Sequence, residues 1–265
     1  MPSCANDNRL DRDVEGIGSQ NARSAVVLFS RVPIPGRTKT RLHSILSPEE
    51  CAALHEAMAL DLAEKLAALG NPLVLRYSDE WRNLADGEEA RDAFIERMRR
   101  AAASAVSFAA IPQEGGNLGE RMANAMLDTF RQGASGCILL GSDLPNIMAD
   151  DIRLAESALA SSDAVFGPSA DGGFWLIGLR SPLSKLFEGK HYGTGSVLTE
   201  ALTVCRAFGL KVALLREAFD VDVPEDYYRL CNHVNEHDSR LGARTVDAVS
   251  NLMSVTAAGG GSNQA

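Results

Sequence analysis

From Ser24 to Leu215, short apolar runs alternate with longer segments of helical periodicity, and this alternation limits the fold more than any other feature. Ser24–Ser30 (SAVVLFS) is a compact apolar run of strand length. Ser47-Pro48-Glu49-Glu50 then has the form of a helix start, with serine as cap, proline at the first helical position and acids in the first turn. Leu54, Met58, Leu62, Leu66 and Leu69 follow at steps of three and four, forming one apolar face, and Gly70-Asn71-Pro72 ends it. Further strands are predicted at Leu73–Tyr77, Ala105–Ile111, Cys137–Leu140, Ala164–Phe166, Phe174–Leu179 and Leu210–Leu215. Further helices are predicted at Glu88–Arg100, Asn117–Arg131, Ala149–Ser161, Gly195–Phe208 and from Pro224 onward. Strands separated by helices pair through crossovers, so the fold class is α/β: one domain, residues 23–232, with a mostly parallel central sheet flanked by helices. Residues 1–22 are polar and aperiodic and read as a flexible N-terminal tail. Residues 233–265 end in Ala-Ala-Gly-Gly-Gly-Ser and read as a flexible C-terminal tail, with only a weak helical signal over Ala243–Met253.

The bulk properties narrow the function. A net charge of -9 argues against a general nucleic-acid binder, which needs a basic face. The chain has no apolar run long enough to span a membrane, and its first sixteen residues lack the apolar core of a secretion signal. The five cysteines are scattered and contain no C-x-x-C pair, which fits free thiols in a reducing cytoplasm.

Six stretches carry residues suited to chemistry. Pro33 to Leu42 (PIPGRTKTRL) follows the first strand and sets Arg37, Lys39 and Arg41 around Gly36, as a solvated basic loop or as a phosphate cradle. Gln113 to Met122 (QEGGNLGERM) is a glycine-rich turn opening a helix, whose free N–H groups suit an anion or a base edge. Gly141-Ser142-Asp143 stands past the end of a buried strand, where open α/β sheets bind ligands; Asp143 either caps the turn or ligates a metal. Asp220-Val221-Asp222-Val223-Pro224 alternates two carboxylates, which would share one side of an extended strand and suit Mg²⁺ or Mn²⁺. Gly167 to Trp175 (GPSADGGFW) is a plain turn or a substrate loop in which Asp171 reads hydroxyls or acts as base, and His191 to Ser196 (HYGTGS) is a small-residue loop before a helix. His43, His55, His233 and His237 have no zinc-like spacing.

In this order, P-x-P-G-x-x-K-T-R-L, L-G-E-R-M, G-S-D-x-P, G-P-x-x-D-G-G-F and D-V-D-x-P-E-D resemble the motifs of small bacterial GT-A-type glycosyltransferases of the nucleotide-diphospho-sugar transferase superfamily, one branch of which is assigned to arsenosugar biosynthesis. The resemblance spans about residues 25–230. More distantly the chain is similar to 2-phospho-L-lactate guanylyltransferase and the molybdenum-cofactor nucleotidyltransferases. The resemblance implies a metal-dependent enzyme that takes a nucleotide sugar, or alternatively an NTP, together with a small acceptor. It puts Pro35, Gly36, Lys39, Arg41, Gln113, Gly119 and Asp143 at the nucleotide. It puts Asp171, Gly172, Gly173, Tyr192 and Ser196 at the second substrate, and Mg²⁺ or Mn²⁺ on Asp143 and Asp222. Lys39, Arg41 and Asp171 are the implied catalytic groups. The preferred reaction is glycosyl transfer. Tyr192-Gly193-Thr194-Gly195-Ser196 departs from the glycosyltransferase pattern, which has an aromatic-Ser-Thr segment there, towards the guanylyltransferase side.

Overall fold

The structure, a computed structural model, describes residues 24–190, 192–193 and 195–259; for 255–259 it describes the backbone alone. The N-terminal stretch read as a tail lies outside the described residues, as do His191 and Thr194 of the HYGTGS loop. The order of elements is β1 (Ala25–Ser30), α1 (Pro48–Ala67), β2 (Pro72–Tyr77), α2 (Gly87–Ala101), β3 (Ser107–Pro112), α3 (Leu118–Arg131), β4 (Cys137–Gly141), α4 (Ala149–Leu159), β5 (Ala164–Pro168), β6 (Phe174–Leu179), α5 (Val197–Ala207), β7 (Val212–Leu214), α6 (Pro224–Asn235) and α7 (Ala243–Gly259).

The strands form one seven-stranded sheet in the order β3-β2-β1-β4-β6-β5-β7. β6 runs antiparallel to β4 and β5, and the other pairs are parallel. β1 and β4 lie side by side, with Val27 opposite Leu139 and Phe29 opposite Gly141. The chain reverses direction in the sheet next to β4, so the crevice beyond the end of β4 is where such a sheet can take a ligand.

Strand alternation divides the core in two. Val26, Leu28, Leu75, Ile138 and Leu140 pack with α1, α2 and α4 through Leu62, Leu66, Phe94, Met98 and Ile152. Val27, Phe29, Val74 and Leu139 face the other way, onto Met122, Met126, Ala201 and Cys205 of α3 and α5. α1 is buried on more than one side: Leu54 and Met58 join Phe219, Val221, Tyr227, Leu230 and Val249 in a third cluster. The expected start of α1 is present as a reciprocal capping box. Ser47 Oγ accepts from Glu50 N at 3.2 Å, and Ser47 N donates to Glu50 Oε2 at 2.7 Å.

The stretch from residue 233, read as a tail, is instead structured through 259. It contains the end of α6 and all of α7. Asp61, in the middle of α1, accepts from Thr245 N and Thr245 Oγ1, both at 2.8 Å, and from Arg244 Nη1 at 3.0 Å. Thr245 and Val249 are fully buried. A tertiary anchor on α1 holds this helix, and its own weak apolar periodicity did not reveal that.

Candidate active site

Asp143 is positioned by the end of β4 and by the segment ahead of α6. β4 delivers Gly141, the chain turns, and Val221 N donates to the Asp143 carbonyl at 3.1 Å. That bond draws residues 219–222 alongside the turn. The Asp143 carboxylate is held on both oxygens. Oδ2 accepts from Lys39 Nζ at 2.6 Å, and Oδ1 accepts from His55 Nδ1 at 2.8 Å. Burial works against its charge but is outweighed by Lys39 and His55, whose charges and hydrogen bonds hold the carboxyl well below the usual carboxylate range. Its side chain is 36% exposed, while those of Lys39 and His55 are 3% and 1% exposed, so a partly open anion stands on two buried donors.

The basic loop supplies Lys39 by folding tightly. Thr38 Oγ1 accepts from Ile34 N at 3.0 Å and donates to the Val32 carbonyl at 3.2 Å. Lys39 itself has φ of 51°, a left-handed conformation unusual for a residue with a side chain. From there its ammonium reaches inward to Asp143 and to the Val221 carbonyl at 2.5 Å. Pro35, Gly36 and Arg37 form the exposed tip of the loop, and Arg37 makes no ion pair among the described residues. Arg41 is exposed and pairs with Asp222 Oδ2 at 2.7 Å.

Beside Asp143 opens a cleft of about 240 Å³. Asp143, Asp171, Asp220 and Ser169 line its polar side, and Phe174, Trp175, Tyr192, Leu118, Met122 and Val197 wall it; among the described residues no lysine or arginine lines it. Confinement by the cleft raises the Asp220 carboxyl above its ordinary value, Asp143 and Asp171 adding to this and Lys39 opposing it. Asp171 closes its own turn: Oδ1 accepts from Ser169 Oγ at 2.5 Å and from Gly173 N at 3.0 Å. The turn leans on the next loop, because a Cβ on Gly172 would lie 2.3 Å from the Gly195 carbonyl oxygen. The Tyr192 hydroxyl is buried and has no partner among the described residues, and burial, with Glu200 nearby, raises its phenol well above the ordinary value.

The structure therefore brings Lys39, Asp143, Asp171, Gly173 and Tyr192 together. It sets the other sequence-derived residues apart from the cleft lining. Gln113 Nε2 donates to the Arg76 carbonyl at 2.9 Å. Gly119 lies buried under Tyr192, where a Cβ would stand 3.0 Å from the ring and 2.5 Å from the Phe187 carbonyl oxygen. Ser196 Oγ donates to Glu200 Oε1 at 2.6 Å. Asp222 pairs with Arg41 while Asp220 lines the cleft, so the two carboxylates part company. The resemblance puts Tyr192 of the aromatic wall at the second substrate, whereas the sequence shows Phe174 and Trp175 only as the end of a turn or substrate loop and His55 only as a histidine without zinc-like spacing; a histidine among Cys51, Leu54 and Met58 on a buried helix face is the signal for its role.

Asp143 and Asp220 could hold a divalent cation. Among the described residues no group of three or more His, Cys, Asp or Glu forms a cage. Mg²⁺ commonly takes one or two carboxylates and completes its shell with substrate phosphates and water, so two oxygen-donor residues opening on one cleft fit Mg²⁺ or Mn²⁺.

Known proteins resemble the chain in sequence and fold. Residues 73–194 match the family described as an uncharacterized protein conserved in bacteria (DUF2064). A 3-phospho-D-glycerate guanylyltransferase from Phenylobacterium zucineum is 29% identical over 223 residues, 82% of this chain and 91% of that protein. A cytidylyltransferase from Leptospira borgpetersenii shares the fold at 16% identity, with a TM-score of 0.50 over 92% of this chain and 98% of that one. The crystal structure of a candidate nucleotide-diphospho-sugar transferase from Desulfovibrio desulfuricans superposes with a TM-score of 0.74 at 30% identity, covering 89% of this chain and 95% of that one. The chain belongs to that nucleotide-diphospho-sugar transferase-like family, and is a transferase of the nucleotide-using kind.

Proposed function

We propose that this protein is a metal-dependent glycosyltransferase that moves a sugar from a nucleotide-diphospho-sugar to a small acceptor. The observation that carries this reading is the lining of the cleft next to Asp143: aromatic and apolar walls, three carboxylates and, among the described residues, no lysine or arginine. Carboxylates and a phenol suit the hydroxyls of a sugar, and Trp175 and Tyr192 suit its apolar face.

In this reading the exposed cations of the basic loop, Arg37 and Arg41, attract the donor's diphosphate, and Lys39 keeps Asp143 ionised. Asp143 and Asp220 would hold Mg²⁺ or Mn²⁺, which when bound neutralises charge on the leaving diphosphate. The acceptor hydroxyl attacks the anomeric carbon, and the bond to the diphosphate oxygen breaks with its electron pair. Asp171 takes the acceptor proton on Oδ2, the oxygen left over by its turn. Asp222, paired with Arg41, serves the loop rather than the cation.

A second reading, nucleotidyl transfer to a small phospho-acid, is favoured by the guanylyltransferase relative and by its coverage of most of the chain. The products separate the two. Incubation with nucleotide sugars, small hydroxylated acceptors and Mg²⁺ or Mn²⁺ is expected to release nucleoside diphosphate. Pyrophosphate release from an NTP and a phospho-acid, with every nucleotide sugar left intact, would overturn glycosyl transfer in favour of the second reading.

A further inference from the structure

We infer that His55 is a positioning residue, which sets the orientation of the Asp143 carboxylate and so its grip on the nucleotide-bound cation. The inference rests on the reading of Asp143 as the carboxylate that meets that cation.

His55 stands two turns into α1, which is fixed at its start by the Ser47–Glu50 capping box. Its ring is buried, and both nitrogens are engaged. Nδ1 faces Asp143 Oδ1 at 2.8 Å; a carboxylate oxygen only accepts, so Nδ1 carries the proton and donates. Nε2 lies 3.2 Å from the Arg31 carbonyl and 3.2 Å from Ser30 Oγ. Ser30 Oγ in turn donates to the Arg31 carbonyl at 3.1 Å and accepts from Ser142 Oγ at 3.0 Å. The ring is thus held on its Nε2 side by the end of β1, where Ser142 of the β4 turn braces Ser30, and on its Nδ1 side it holds Asp143.

Two consequences follow for the carboxylate. With Oδ1 tied to His55, the Asp143 carboxylate is restrained in one orientation, and Oδ2 is the oxygen turned to Lys39. The chain Ser142–Ser30–His55–Asp143 also joins the root of the basic loop to the β4 turn through side chains that are almost fully buried, apart from Asp143 itself. Partners that orient metal-binding carboxylates and histidines typically change affinity or activity by about 10–100-fold when removed. A histidine doing nothing but filling space on α1 would have no such effect.

The test uses binding, and so is independent of the reaction catalysed. Mn²⁺ is titrated calorimetrically into the full-length protein in saturating GDP, and separately in UDP, for wild type and for His55→Leu, His55→Asn and His55→Gln. Asparagine puts its amide nitrogen near the place of Nδ1, and glutamine near that of Nε2. Leucine and glutamine are expected to weaken Mn²⁺ binding about 10–100-fold, and asparagine to stay near wild type. Should His55→Leu not fold, the asparagine–glutamine contrast alone decides. Wild-type affinity in all variants overturns the inference, as does an equal loss in all three, which would mark a packing role. A wild-type protein without nucleotide-dependent Mn²⁺ uptake overturns the reading of Asp143 itself and the inference with it.

Discussion

Replacing Asp143 with asparagine removes the charge that Lys39 and His55 both face, and the cost can be worked from the structure. Each hydrogen bond to a charged group contributes about 1.5–3 kcal/mol. Two are made here, at 2.6 and 2.8 Å. The carboxylate is 36% exposed, so water screens part of the interaction, and Lys39 keeps its bond to the Val221 carbonyl. The expected loss is about 2–3 kcal/mol of unfolding free energy. Lys39→Met should cost about 2 kcal/mol, because it leaves the carboxylate with His55 alone. The double variant should fall short of the sum by about 2 kcal/mol, since neither charge is then left without its counterpart. Urea unfolding followed by circular dichroism measures all three, with the slope against denaturant unchanged. Single effects that add to within about 0.5 kcal/mol would refute the Lys39–Asp143 contact on which the site is built.

Other outcomes follow from the same geometry. Asp61→Ala strips four donors at the start of α7, on Arg244 and Thr245, of their acceptor, and should cost about 3 kcal/mol and raise amide exchange throughout α7. Gly172→Ala puts a methyl 2.3 Å from the Gly195 carbonyl oxygen at a φ of +80°; it should lower the melting temperature and shift the resonances of both loops together. Asp238 accepts from Arg240 Nη2 at 2.7 Å and from Arg240 N at 3.0 Å, and lies 2.9 Å from His233 Nδ1. Chiefly the Arg240 side chain holds its carboxyl below the ordinary value. A depressed folded value contributes stability that is present above the unfolded value and lost as pH falls through the folded one. The deficit of Asp238→Asn against wild type, about 1–2 kcal/mol at pH 7, should therefore shrink as the pH falls below about 4. A constant deficit down to pH 2 would contradict the ion pair.

Much of the sheet could be read from the chain, because strand and helix periodicities differ and the turns between them are marked by Gly, Pro and Asn. Where tertiary partners decided the outcome, the sequence misled. Asp220 and Asp222 would share a side on an extended strand, but the segment is not one. Asp222 N and Val223 N both donate to Asp226 Oδ2, at 3.0 and 2.9 Å, and this turn directs Asp222 to Arg41 while Asp220 stays in the cleft. Lys39 is expected to reach the nucleotide's phosphates from a basic loop, and no local pattern shows that Thr38 folds that loop inward and buries the lysine's ammonium against Asp143. His55 is 88 residues from Asp143 in the chain, and no local pattern links the two. α7 shows the same blindness: its anchor, Asp61, sits on α1, more than 180 residues earlier.

The central claim, that Asp143 and Asp220 hold a divalent cation for a nucleotide's phosphates, is met most directly by locating the ion. Crystals grown with Mn²⁺ and a nucleoside diphosphate should give an anomalous peak within bonding distance of the Asp143 and Asp220 carboxylates, with Lys39 beside it. A peak on Asp222, or an ordered nucleotide whose phosphates lie against the basic loop with no ion at Asp143, would contradict it.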